Sequence, residues 1–83
     1  MTTKPNPTPW SLCGGRYQST LRAPLVDGEV WPLPGGRWAY EVVEAVDQRV
    51  VERASLDSFE SAKDRVRAVM ADLALGRSLG GKP

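Results

Sequence analysis

Histidine is absent from this chain of 83 residues, and cysteine occurs once, at Cys13. Without histidine there is no Ser-His-Asp triad, no Cys-His dyad and none of the commonest zinc ligand. A single cysteine forms no internal disulfide, and a lone thiol suits a reducing compartment. No apolar run approaches the roughly 20 residues that a membrane helix needs. The opening MTTKPNPTPW lacks the apolar stretch of a secretory signal, so a cytoplasmic location is expected. A surplus of one charge is missing too: eleven Lys and Arg stand against ten Asp and Glu, a net charge of +1.

Apolar residues make up 41% of the chain, above the disordered class. A chain this short hides only about 60–65% of its unfolded surface, so one domain with a small core is expected. Residues 1–9 carry three prolines and nothing apolar after Met1, which reads as a flexible Pro-rich arm. The tail 77–83, RSLGGKP, reads as flexible as well. The folded body is expected over 10–76.

Its clearest element lies near the C-terminus. Phe59, Ala62, Val66, Val69, Met70 and Leu73 fall within one arc at about 100° per residue and predict a helix over 57–75. Asp57 followed by Glu60 resembles an acidic capping box, and Gly76 supplies a left-handed stop. Upstream, Trp38, Tyr40, Val42 and Val46 share the parity of one strand face. Asp47-Gln48 would turn that strand into Arg49–Ala54. A two-residue loop sets Glu44 against Val51, whereas a three-residue loop sets it against Glu52, a like-charge pair. The shorter loop is preferred, with the register open. Tyr17 to Val26 reads as a further strand, interrupted by Pro24 and closed by an Asp27-Gly28 turn. Val30-Trp31-Pro32-Leu33 reads as a short edge strand, because proline cannot donate in a sheet centre. Pro34-Gly35-Gly36 turns the chain into Trp38. The expected fold is α+β: an antiparallel sheet of three to four strands with one C-terminal helix packed across one face.

Chemistry-bearing residues are sparse. Cys13-Gly14-Gly15 has no base, metal or helix N-terminus to activate a thiol, so Cys13 is read as partly buried and structural or incidental. The glycine pairs lack the strand-to-helix setting and the Lys-Ser/Thr of a phosphate loop. Glu41 and Glu44 sit on opposite strand faces, and the other carboxylates have no cleft in which to converge. No cofactor and no metal are expected, and the chain is read as non-enzymatic. A histidine-free enzyme using Cys13 or a carboxylate pair is the weakest of the readings weighed.

Arginines lie near aromatic residues, which allows a nucleic-acid-binding alternative with Arg and aromatic residues on the sheet. Acidic residues are interleaved almost one for one, so no run of positive charge survives. The strands-then-helix order resembles the second part of a double-stranded-RNA-binding domain, with Ser61-Ala62-Lys63 near the helix start. It departs at Ser58-Phe59-Glu60, where a basic cluster would be wanted, and in lacking the first helix.

Three tryptophans are many for so small a core. Trp38 reads as core, whereas Trp10 and Trp31 read either as lids over a sheet end or as partner-binding surface. The single small domain, the Trp38-x-Tyr40-x-Val42 strand and the Glu60-Ser61-Ala62-Lys63 helix are together similar to small phage or mobile-element accessory proteins. Anti-CRISPR and host-takeover proteins are among these. The likeness is architectural and covers about Trp38 to Leu75. It implies an inhibitor or adaptor that occupies a surface of a host or defence complex; an acidic nucleic-acid mimic does not fit a charge of +1. The expected partner-binding residues are Trp31, Arg37, Arg49, Arg53 and Trp10, with a homodimer through the Val30–Leu33 edge as a further expectation.

Overall fold

The computed structural model describes residues 7–22 and 24–76. Within them the chain forms β1 (Ser11–Cys13), β2 (Arg16–Arg22), β3 (Leu25–Pro32), β4 (Trp38–Glu44), β5 (Arg49–Leu56) and one helix, α1 (Phe59–Ala74). The strands make a single antiparallel sheet in the order β1-β2-β3-β4-β5. The fold is therefore α+β with five strands, one more than the three to four expected. The additional strand is β1. Cys13 pairs with Arg16 across Gly14-Gly15, both at positive φ (60° and 81°). Two left-handed residues form the hairpin turn whose twist matches that of its strands.

Two expected boundaries are corrected by the sheet. Asp27-Gly28 is no turn but the middle of β3, paired with Thr20 and Ser19 on one side and Val43 and Val42 on the other. The reversal falls earlier, between Arg22 and Leu25. Glycine at position 28 serves close packing: α1 passes directly over it, with Val66 and Met70 filling the space of a side chain. Val30 and Trp31 belong to the central strand, with β2 and β4 flanking it, so Val30–Leu33 is not an edge open to a second copy. Pro32 is tolerated because it ends β3.

The β4–β5 hairpin takes neither expected register. Glu44 pairs with Arg49 across a four-residue loop, which sets opposite charges against each other. Gln48 adopts φ 55° there, and its side-chain amide donates to the Ala45 carbonyl at 2.8 Å. A bulge between Val42 and Val43 places Glu52 opposite Val42 but Val50 opposite Val43. The extra residue, Val51, packs on the core while Val50 stays exposed. Val46, counted with the inward parity of the strand, lies in the loop and is 83% exposed.

Ser58 caps the helix, its hydroxyl accepting from the Ser61 N–H at 3.1 Å. Asp57, expected to cap, pairs with Arg37 at 2.7 Å instead. Gly76 at φ 78° ends the helix as its sequence position implies, donating to the Leu73 carbonyl at 3.0 Å. Ala62, Val66, Val69 and Met70 of α1 are buried against Leu21, Val26, Val30, Tyr40 and Val42 of the sheet. The core thus lies where the helical stripe and the inward face of β4 predict it. At one end Trp38, Tyr17 and Phe59 close it as a cluster of tilted rings, with Trp38 and Tyr17 each 4.7 Å from Phe59.

The helix packs on β3, β4 and β5, and the β2 side is closed by the residues that precede β1. Trp10 packs on the core with the Arg67 guanidinium 4.9 Å from its ring. Thr8, assigned by composition to the arm, hydrogen-bonds β2 through Thr20. Residues 1–6 of that arm and the tail 77–83 lie outside the described residues.

Candidate functional site

Antiparallel partners project to the same side of a sheet, so the register identifies the face opposite α1. Arg16, Gln18 and Thr20 of β2 share it with Asp27, Glu29 and Trp31 of β3, Ala39, Glu41 and Val43 of β4, and Arg53 and Ser55 of β5. None of the described elements packs on this face. Half-buried Trp31 carries the Arg16 guanidinium over its ring at 4.0 Å, and it does not belong to the core cluster.

A polar row crosses the centre of the face. Glu29 and Glu41 stand directly opposite each other, a like-charge pair that is unfavourable alone. Cations and an amide offset it. Arg16 reaches Glu29 at 2.7 Å, Gln18 donates to Glu29 at 2.8 Å, and Arg53 pairs with Glu41. Thr20 donates to Asp27 at 3.0 Å. A shallow depression of about 140 Å³ lies among Gln18, Thr20, Asp27 and Glu29, small beside the roughly 300 Å³ or more of ordinary ligand pockets. Toward the β4–β5 hairpin the face turns apolar, with Leu25 and Val50 exposed and Val43 between them.

The expected partner-binding residues divide between two sides of the molecule. Trp31 and Arg53 are brought together on the uncovered face, Arg53 one row from Trp31. Arg37 reaches the end of that face through Ser55, donating to its hydroxyl at 3.1 Å and its carbonyl at 2.8 Å. Arg49 sits at the hairpin end, paired with Glu44. Trp10 lies away from them, on the helix side. Sequence reasoning missed Arg16, Gln18 and Glu29 as neighbours of Trp31. The Gly14-Gly15 hairpin was the available signal, since it sets where β2 begins.

Titration is perturbed in two places on the covered side: burial pushes the Arg67 guanidinium down, and Tyr40, Glu52 and Arg65 shift as a linked group. The Tyr40 hydroxyl donates to Glu52 at 2.5 Å, and Arg65 of α1 holds the same carboxylate through Nε at 2.6 Å and Nη2 at 2.7 Å. The Arg65 hydrogen bonds hold Glu52 below its ordinary value, while burial and then the Glu52 bond push the Tyr40 phenol up. This network ties the helix to the sheet. Among the described residues no group of three or more Cys, Asp or Glu is placed to hold a metal ion, and no helix is long and apolar enough to cross a membrane. Cys13, expected to be partly buried, is exposed on β1, because a three-residue edge strand has nothing packed over it.

No family model matches the chain, and neither does any curated protein or solved structure.

Proposed function

We propose that this chain is a non-enzymatic protein-binding module that docks on a larger protein complex through its uncovered sheet face. In this reading it acts as a phage-type inhibitor or adaptor, by occupying a surface of a host or defence complex. The observation that carries the reading is Trp31, a large aromatic held outside the core on a face that α1 leaves open. Tryptophan with a guanidinium over its ring offers contact area at little entropic cost. Apolar Leu25, Val43 and Val50 extend that face beyond the polar row. The arginines favour a protein partner over nucleic acid. Arg16, Arg37, Arg49, Arg53 and Arg65 each already hold a carboxylate, which a phosphate would have to displace.

The test compares capture from lysate by the tagged chain and by its Trp31→Ala variant, with and without nuclease. A protein retained in stoichiometric amount after nuclease, and lost with Trp31→Ala at an unchanged thermal midpoint, is expected. Capture abolished by nuclease, or equal capture by both chains, would overturn the reading.

A further inference from the structure

On the side of the molecule away from the sheet face, the residues that precede β1 are held against β2 and α1. Three residues, Pro7, Thr8 and Pro9, run beside the outer edge of β2 without joining the ladder. Proline has no N–H, so Thr8 alone of the three can donate from its main chain. Every polar group of Thr8 is used. Its N–H donates to the Thr20 carbonyl at 2.8 Å, and its hydroxyl accepts from the Thr20 N–H at 2.9 Å. Its carbonyl accepts from Ser19 Oγ at 2.6 Å and from Arg67 Nη2 at 3.0 Å. Two residues on, Trp10 lies against the core beneath Arg67.

Seen from β2 and α1, this is a set of recognition groups rather than a lid alone. A strand edge presents the N–H and C=O of Thr20; a buried hydroxyl, Ser19, and a guanidinium, Arg67, converge on one acceptor. Beside them the core accepts one large flat ring. Arg67 Nη1 is buried without a hydrogen-bond partner, so the segment now in place leaves one donor of the slot unmet. Thr8 gives the segment one main-chain bond to β2, its N–H to the Thr20 carbonyl, and elements with so few main-chain bonds open locally at low cost.

We propose that Thr8–Trp10 is a displaceable strap, and that the slot it fills takes an extended peptide segment of another protein by strand addition to β2. The chemistry of the strap defines that segment. It is extended, it offers a main-chain donor and acceptor to Thr20, it places a carbonyl or carboxylate at Ser19 and Arg67, and it carries an aromatic residue two positions later. The strap is then an internal competitor, lowering the apparent affinity for any external segment.

Two measurements test this. In the first, a synthetic peptide of residues 7–10, which stops short of the β1 positions already paired with β2, is titrated into the isotope-labelled chain and its Trp10→Ala variant. Saturable shifts of the Ser19 and Thr20 amides are expected in the variant, with about tenfold weaker binding to the unaltered chain, whose own strap competes. Shifts elsewhere, or equal affinity for both chains, would overturn the proposal. The second needs no variant and covers the case in which Trp10→Ala does not fold. Native-state hydrogen exchange of the unaltered chain should show the Thr20 amide opening well before the interior amides of Val30 and Val42. Exchange of all three through one global unfolding event would show that the strap does not open, and the proposal would fall.

Discussion

A β-carbon on Gly28 would stand 2.5 Å from Val66 Cγ1 and 2.9 Å from Met70 Cε. Met70 Cε ends a flexible side chain and can swing away. Val66 is β-branched, fully buried and confined to essentially one rotamer in a helix, so it cannot. Gly28→Ala should therefore lift α1 off β3 and cost about 1–3 kcal/mol, the usual range for an overpacked core. Adding Val66→Ala to the same chain should recover part of that loss. Strictly additive losses in denaturant unfolding of the double variant would show that Gly28 does not set the helix-to-sheet distance.

The Tyr40–Glu52–Arg65 network predicts a pH dependence with opposite signs at its two ends. Glu52 is held below its ordinary value. Its stabilisation is present above the ordinary carboxylate range and is lost as pH falls through the lowered value. Tyr40 is raised above its ordinary 10.0, so its stabilisation is full below that value and is lost as pH rises through the raised one. Glu52→Gln should cost about 1 kcal/mol at neutral pH, since Arg65 and the carboxylate are both partly solvated. The gap in thermal midpoint between wild type and variant should narrow in acid. A gap independent of pH would refute the assignment.

The three tryptophans should respond differently to truncation. Trp38 packs on Phe59 and on the core, so Trp38→Ala should cost about 2 kcal/mol or more. Trp31 contributes its contact with Arg16 and little core burial, so Trp31→Ala should cost less than about 1 kcal/mol. Thermal denaturation of the two variants side by side decides the matter. Equal losses would place Trp31 in the core and remove it from the docking face.

At the start of α1, Ser58 takes the capping role expected of Asp57. Ser58→Ala should cost about 1 kcal/mol by leaving the Ser61 N–H without its cap. Asp57→Asn should cost less than about 1 kcal/mol, because it removes only an exposed pair with Arg37. Helical content and unfolding midpoints of both variants test the order. A larger loss for Asp57→Asn would return the cap to Asp57.

Much of the covered side was legible in the chain itself. The stripe from Phe59 to Leu73 and the parity of Trp38, Tyr40 and Val42 each repeat a local period, and each faces the core. Gly76 stops the helix because an αL position after a last turn is a local demand that glycine meets. Residues with two competing local meanings were harder. Asp27-Gly28 is a turn by composition and a strand by packing, and the helix above it decides between them. The β4–β5 register was hidden because a bulge at Val51 changes which residues oppose each other, and no periodicity announces a bulge.

The uncovered face was the least legible part. Trp31 could be singled out as a surplus aromatic, but its companions Arg16, Gln18, Glu29 and Glu41 come from three strands. Their meeting depends on the register of every hairpin between them. A small α+β domain without histidine or a disulfide, with facing apolar stripes on its helix and β4, could be read from the chain alone. Those properties follow from composition and local period, which act over a few residues. The central place of β3, the position of Trp31 outside the core, and the closure of the β2 side by Thr8 and Trp10 were settled by folding. Each of these rests on contacts between residues distant in the chain, where pairing and close packing override local preference.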